Sequence, residues 1–288
     1  MPDLVQAIPA APPRPADAHK GTFGTVIVVG GSATMIGAPA LCATAAFRSG
    51  AGLVKLATLP QVLPFAIAIE PGATGIVLDG DAMRAVDALD DADPDGTAVL
   101  AVGPGMGRSD WWSRIVMGLL RGKRTLVLDA DGLNLLAATG KPRPAGNDHQ
   151  PALIMTPHPG EFRRLAKPLG IDDDPTDPQS RSTAAARLAE AHHAIVVLKG
   201  QHTVVSDGRR AFVNHTGNPA LATAGTGDVL TGCIAALAAQ GMPPWDAAVL
   251  GVYLHGLAGD LWTAQQGPSG LTSRDLANML PTAFQQHR

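Results

Sequence analysis

Two cysteines in 288 residues leave little to crosslink. Cys42 and Cys233 lie far apart inside apolar helical stretches, so they build neither a disulfide framework nor a cysteine-rich zinc site, and both read as small buried hydrophobes. Charge is scarce as well: 16% of residues, with 22 Lys+Arg against 25 Asp+Glu, a formal net charge of −3. No basic excess is available to neutralise a phosphate backbone, which excludes nucleic acid as the expected partner. No apolar run approaches the roughly 18–20 residues needed to span a bilayer, so no membrane partner is expected. Residues 1–19 lack a basic stretch followed by an apolar core, and the expected setting is the cytoplasm.

Apolar residues, by contrast, make up 45% of the chain, enough for a large core and too many for a disordered one. The length allows one or two domains, and large α/β sheets often run past about 250 residues as one unit. Residues 1–18, with Pro2, Pro9, Pro12, Pro13 and Pro15, are too proline-rich for a helix and read as an extended arm. Residues 19–288 show no repeat, low-complexity tract or clear linker and read as a single domain.

The β-branched run Thr25 to Val29 is ended by Gly30 and Gly31, then followed by a helical stretch with Pro39 in its first turn and Gly50 at its close. Similar runs recur at Ala98 to Val102, Thr125 to Leu128, Leu153 to Met155 and Ile195 to Leu198, separated by segments that read mostly as helices. Strands alternating with helices predict a parallel sheet covered on both faces. His202 to Asn214, around Asp207-Gly208, breaks this rhythm and predicts an antiparallel hairpin at an edge. Helices are expected at Asp228 to Gln240, Trp245 to Asp260 and Ser273 to Leu280, and surface loops at Gly140 to Pro151 and Pro168 to Pro178.

Ligands of a parallel sheet gather beyond the carboxyl ends of its strands. Following the runs in turn stand Gly30-Gly31-Ser32, Gly103-Pro104-Gly105-Met106-Gly107, Asp129-Ala130-Asp131, Thr156-Pro157-His158-Pro159-Gly160-Glu161 and Lys199-Gly200. Gly225-Thr226-Gly227-Asp228 sits immediately before an apolar helix. Its glycines let backbone N–H groups approach an anion, and the helix dipole favours one there. Asp228 then has two readings: a base for a hydroxyl that attacks a phosphoryl group, or a plain helix-capping carboxylate. Asp129 and Asp131, two apart, are expected to divide the work, one facing the crevice and one supporting it, although a polar strand terminus is the simpler account. His158, held between two prolines, is either an aimed polar group or a hydrogen-bonded structural histidine. The dinucleotide Gly-x-Gly-x-x-Gly spacing, the P-loop and His-Glu-x-x-His are all missing.

Together, these motifs resemble those of the ADP/ATP-dependent NAD(P)H-hydrate dehydratases, members of the ribokinase-like superfamily. The resemblance runs from about Lys20 to Leu280 and also rests on Lys20-Gly21, Gly24, Gly37-Ala38, Arg48 to Gly52, Gly132 to Asn134, Asn214 and Gly217-Asn218. It implies a ribokinase-like three-layer α/β sandwich, a mostly parallel sheet flanked by helices with a small antiparallel hairpin. The implied reaction is nicotinamide-nucleotide repair. ADP or ATP phosphorylates the ring hydroxyl of hydrated NADH or NADPH (NADHX, NADPHX), and loss of phosphate restores the dinucleotide. Asp228 would be the base. Ala38, Gly105 and His158 would lie along the hydrated dinucleotide with Asp228, and Asp131 and Asn134 would be polar groups near its phosphates. Lys199, Gly200, Gln201, His202 and Thr203, with Gly225, Thr226 and Gly227, would lie against the adenine nucleotide. Glu161 would serve a Mg2+ held mainly by phosphates, directly or through water.

Ile36-Gly37 stands where the family commonly has Pro-Gly, and Ala224 where a further Gly is frequent; neither removes a functional group. Many relatives carry an N-terminal epimerase domain, so the expected partner is a separate epimerase, and a homotetramer is the expected assembly. The Ala/Gly/Pro-rich composition looks bacterial and favours ADP over ATP as donor. The rival readings are a vitamin-precursor kinase of the hydroxyethylthiazole or hydroxymethylpyrimidine type and a noncatalytic nucleotide sensor. The kinase would share Gly225 to Asp228, whereas the sensor would not need the carboxylate.

Overall fold

In the computed structural model, which describes residues 1–143 and 151–287, ten strands form one sheet. They are β1 (Asp3–Val5), β2 (Thr25–Val29), β3 (Leu53–Thr58), β4 (Thr74–Val77), β5 (Val99–Val102), β6 (Leu126–Leu128), β7 (Leu153–Met155), β8 (Ile195–Leu198), β9 (Val204–Ser206) and β10 (Arg210–Val213). Their order across the sheet is β1-β10-β9-β8-β7-β6-β5-β2-β3-β4. Everything from β4 to β8 is parallel, and only β9 runs against the rest, pairing antiparallel with β8 on one side and β10 on the other. This is the expected three-layer sandwich with its small hairpin.

The alternation of side chains along a buried strand divides the core. In β2, Ile27 and Val29 join one apolar cluster while Val26 and Val28 join the other, and β5 splits likewise into Leu100, Val102 and Val99, Ala101. Helices α3 (Ala82–Ala92), α4 (Asp110–Leu119), α5 (Ala130–Ala138), α6 (Pro159–Ala166) and α7 (Arg181–His192) cover the first face. The second face is covered by α1 (Gly37–Arg48), α2 (Leu63–Ile69), α8 (Thr226–Ala239) and α9 (Pro244–Gln266), and α10 (Ser273–His287) packs on α9. Cys42 and Cys233 are free and fully buried in α1 and α8, and burial pushes both thiols up, Cys233 to about 12. No helix among the described residues is long and apolar enough to cross a membrane.

Three details differ from the expectation. β3 and β4 lie in a stretch that reads as helical: Lys55 interrupts the first, and the second is a short edge strand containing Gly75. The lysine is accommodated because its Nζ reaches past the sheet to donate to Ala92 O at 2.6 Å. The arm is extended, as its prolines require, but Asp3–Val5 adds in parallel to β10, so the hairpin is not the sheet's outer edge. The helices at the end of the chain run further than the sequence pattern indicates, to Gln266 and His287. Of the expected loop at Gly140 to Pro151, residues 144–150 lie outside the described residues.

Candidate active site

Asp129 closes β6 and is almost fully buried. The following residue, Ala130, has φ +48°, a left-handed conformation that costs a non-glycine residue free energy and turns the chain abruptly into α5. Gly103 makes the turn possible from the neighbouring strand end. At φ +124°, a Cβ there would stand 1.8 Å from Asp129 O. Turned this way, the Asp129 carboxylate caps no helix N–H and instead accepts from Lys199 Nζ at 2.6 Å (Oδ1) and Thr231 Oγ1 at 2.8 Å (Oδ2). Asp129 and Asp131 thus have different surroundings, and what separates them is a helix start, not strand alternation. Asp131 lies in the first turn of α5.

Lys199, at the end of β8, is the common neighbour of the site's acids. Its ammonium stands 3.9 Å from Glu161 Oε2 as well as on Asp129, and these carboxylates, with Asp228, outweigh burial and hold its pKa above the ordinary lysine value. A methyl on Gly227 would lie 3.4 Å from Lys199 Nζ and 3.7 Å from Asp129 Oδ2, so the start of α8 rests directly against the ion pair.

That helix start carries the distinctive chemistry. Gly225 is its N-cap in the left-handed conformation (φ +86°); Thr226 N is taken by Thr223 O at 3.4 Å, and among the described residues no side chain caps the N–H groups of Gly227 and Asp228, an arrangement that suits an anion. Thr226 Oγ1 bonds back to Leu221 O and Thr223 O, both at 3.0 Å, fixing the turn. Asp228 is the third helical residue and makes no hydrogen bond among the described residues, so it is not the plain cap. Burial first, then the Asp129 charge, raise its pKa to about 7, with Lys199 opposing. A carboxyl that exchanges its proton near neutrality is suited to general-base work. Opposite, His255 Nε2 lies 2.9 Å from Thr226 O; because that carbonyl only accepts, the ring carries its proton on Nε2, and burial keeps it neutral with a pKa of about 4.

The sequence-selected residues fall into two groups. Lys199, Gly200, Gln201, His202 and Thr203 line one cavity of about 460 Å³ together with Thr226 and Gly227. Gly225 is not part of the lining; a Cβ there would stand 2.9 Å from Ser273 Oγ. The wall opposite, Asn214 to Pro219, is tied to α9 through Thr216 Oγ1 to Tyr253 O (2.8 Å) and Gly217 N to Asp260 (2.8 Å). A larger hollow of about 660 Å³ lies between Val5–Pro13 of the arm and residues 240–246, but it holds neither the glycine turn nor the buried acids.

The second group lies outside that cavity. Gly105 and Ala38 touch, since a Cβ on the glycine would be 3.0 Å from the alanine methyl. Asp131 accepts from Gly107 N (2.9 Å), Arg108 Nε (3.3 Å) and Asn134 Nδ2 (3.4 Å), and Asn134 Oδ1 accepts from Arg164 Nε at 2.8 Å. His158 is the N-cap of α6: its Nδ1 accepts from Gly160 N and Glu161 N, and Glu161 Oε2 accepts in return from His158 N at 2.9 Å. Burial, then Lys199 and Arg164, hold the His158 pKa down, while burial holds that of Glu161 up. Among the described residues no three His, Cys, Asp or Glu converge as a protein-built metal site would require. Glu161, buried 3.9 Å from the Lys199 ammonium, is a hard oxygen donor that fits Mg2+, an ion that takes few carboxylates and draws its remaining oxygens from phosphate and water. Thr231, the hydroxyl partner of Asp129, is the residue of this cluster that the sequence pattern missed. Thr231 was findable, being three residues after Asp228 and so on the same helical face.

From residue 26 to residue 282 the chain matches the NAD(P)H-hydrate dehydratase family. It belongs to that family. The ADP-dependent (S)-NAD(P)H-hydrate dehydratase of Neisseria meningitidis serogroup B is 40% identical over 273 residues, covering 92% of this chain and 86% of the relative. The bifunctional NAD(P)H-hydrate repair enzyme Nnr of Thermofilum pendens is 39% identical over 289 residues, 96% of this chain and 53% of the relative. The chain thus spans about half the length of the bifunctional relatives it matches. The crystal structure of the Bacillus subtilis ADP/ATP-dependent NAD(P)H-hydrate dehydratase, co-crystallised with ATP and Mg2+, superposes with a TM-score of 0.79 at 30% identity, covering 97% of this chain and 95% of that one. Hydroxyethylthiazole kinase from Pyrococcus horikoshii shares the fold alone, with a TM-score of 0.61 at 16% identity. The ribokinase-like architecture and the dehydratase family inferred from the motifs both stand.

Proposed function

We propose that this dehydratase-family chain converts NADHX and NADPHX to NADH and NADPH, using ADP or ATP as phosphoryl donor. The observation that carries the reading is Asp228, a carboxyl with a pKa of about 7 and no partner of its own among the described residues. It stands at an uncapped helix start beside the 460 Å³ cavity. The nucleotide occupies the cavity along Lys199 to Thr203, with its terminal phosphate on the N–H groups of Gly225 to Asp228. The hydrated dinucleotide lies along Ala38, Gly105 and His158. Asp131 and Asn134 serve that end by holding Arg108 and Arg164, whose guanidiniums suit the substrate's phosphates.

Asp228 takes the proton of the ring hydroxyl as its oxygen attacks the terminal phosphorus, and the bond to the bridging oxygen of AMP (from ADP) or ADP (from ATP) breaks. The helix N–H groups hold the transferring charge. Hydroxide is a poor leaving group and phosphate a good one. The ring nitrogen's lone pair expels phosphate, and loss of a proton from the adjacent carbon restores the ring double bond. Mg2+ bound with the nucleotide would neutralise phosphate charge, with Glu161 the residue placed to hold it directly or through water. Lys199, neutralising Asp129, keeps the pocket from accumulating the negative charge that would repel the nucleotide. The family resemblance supports a homotetramer and an epimerase partner, and two reduced buried thiols agree with a cytoplasmic setting.

The test is to mix the protein with Mg2+, NADHX and either nucleotide, following NADH absorbance and phosphate release. NADH returning with equal phosphate supports the reading. Accumulation of a stable phosphate ester from a vitamin-precursor alcohol, with no NADH restored, would replace it with the kinase reading.

A further inference from the structure

We propose that Arg181 is a positioning residue for the nucleotide cavity, shaping the Lys199–Gly200 turn from behind; this rests on the reading of that cavity as the ADP/ATP site. Arg181 is the first residue of α7 and is 93% buried, with a relative exposure of 7%. One nitrogen, Nη2, donates to Leu198 O at 3.0 Å and Lys199 O at 3.3 Å, the last carbonyl of β8 and the first of the turn leaving it. The other, Nη1, packs on Gly200, where a Cβ would stand 3.1 Å away. Gly200 has φ +137°, so the turn adopts a backbone conformation that the guanidinium covers without crowding. Lys199 is therefore fixed at both ends, its ammonium on Asp129 and its carbonyl on Arg181.

The arrangement is costly for a purely structural group. Among the described residues no carboxylate lies within 4.0 Å of Arg181, and Nε meets no acceptor. The charge also sits at the positive end of its own helix, whose N-cap Ser180 offers no side-chain bond. Burial without a counter-charge holds the guanidinium below its ordinary pKa. A buried unpaired cation disfavours the fold, and an apolar side chain of similar length removes that cost. What the apolar side chain cannot do is hold two consecutive carbonyls, so the turn that carries Gly200 to Thr203 along the cavity would relax. The unpaired positive charge beneath the turn also favours an anionic ligand on its other side.

Arg181→Met and Arg181→Lys separate the two roles. ADP binding is measured by calorimetry on the resting enzyme with Mg2+, alongside thermal unfolding and the KM for NADHX. For Arg181→Met the expected result is an ADP Kd raised about tenfold, which is about 1.4 kcal/mol. Its unfolding midpoint should be no lower than that of the parent protein, and its KM for NADHX unchanged. Arg181→Lys, which keeps the charge but not the two-carbonyl grip, should raise the ADP Kd about threefold or more. An ADP Kd within twofold of the parent in both variants overturns the proposal. So does failure of Arg181→Met to fold, or a midpoint several degrees lower, since the arginine would then belong to the fold itself. If the parent protein binds no ADP, the nucleotide reading fails first and takes this inference with it.

Discussion

Replacing Asp228 with asparagine should cripple turnover and stabilise the protein at the same time. The carboxyl is pushed from an ordinary 3.8 to about 7, mainly by burial. For an acid whose folded pKa is raised, the stability is fully present below the unfolded value. It is lost as pH rises through the folded value, because the native state must give up a proton it holds more tightly than the unfolded chain. Three pKa units correspond to a ceiling of about 4 kcal/mol. Asp228 is half-buried and not sealed, so about 2 kcal/mol is expected at pH 8. At this chain length that corresponds to a midpoint about 3 °C higher for Asp228→Asn. Between the two pKa values the penalty grows in proportion to pH, so the gap at pH 5 should be less than half of that at pH 8. Thermal unfolding of both proteins at pH 5, 6, 7 and 8 measures it directly. In the parent enzyme kcat/KM should rise with pH through an apparent pKa near 7, and the variant should lose about 10²–10⁴-fold. A stability gap independent of pH, or a variant that keeps its activity, would refute the assignment of Asp228 as the desolvated base.

Lys199→Met leaves Asp129 buried without its cation and should lower stability by about 3–5 kcal/mol, seen as a lower urea midpoint; Lys199→Met with Asp129→Asn together should recover most of it. His158→Ala removes the acceptor for two N–H groups of α6, at a cost of about 1 kcal/mol in denaturant unfolding. The same variant should raise the KM for NADHX while leaving the ADP Kd unchanged, and the reverse pattern would move His158 to the nucleotide end. Gly103→Ala places a methyl 1.8 Å from Asp129 O at φ +124° and should prevent soluble expression, whereas Gly96→Ala, with open space and a milder φ of +65°, should cost about 1–2 kcal/mol.

How far the site could be read from the residues depended on whether a feature was local. β2, β5, β7 and β8 were legible because both faces are buried and their runs are continuously apolar, and the Asp207-Gly208 turn announced its hairpin. β3 was not, since Lys55 breaks the run and is satisfied only by Ala92 O, 37 residues away. In the same way Gly225 to Asp228 and Lys199-Gly200 could be placed at strand and helix ends, where a parallel sheet collects its ligands. The partnership of Lys199 with Asp129, 70 residues apart, and of Asp129 with Thr231, 102 apart, comes from tertiary packing that no spacing encodes. Ala130 at φ +48° belongs to the same class: nothing in the alanine itself marks the strained turn that faces the Asp129 carboxylate inward.

The pairing of β1 with β10 has a consequence for the order of events in folding. Asp3 faces Arg210, about two hundred positions later in the chain, and the intervening residues include every other strand of the sheet. Closing so long a loop for three residues of pairing returns little free energy until β10 has already been set in place by β9. The first strand in sequence is therefore the last to dock. Its short ladder, beginning with Asp3 N to Arg209 O at 2.9 Å, should open far more often than β2 or β5, and hydrogen exchange at Asp3 to Val5 would report on the edge while the central strands stay closed.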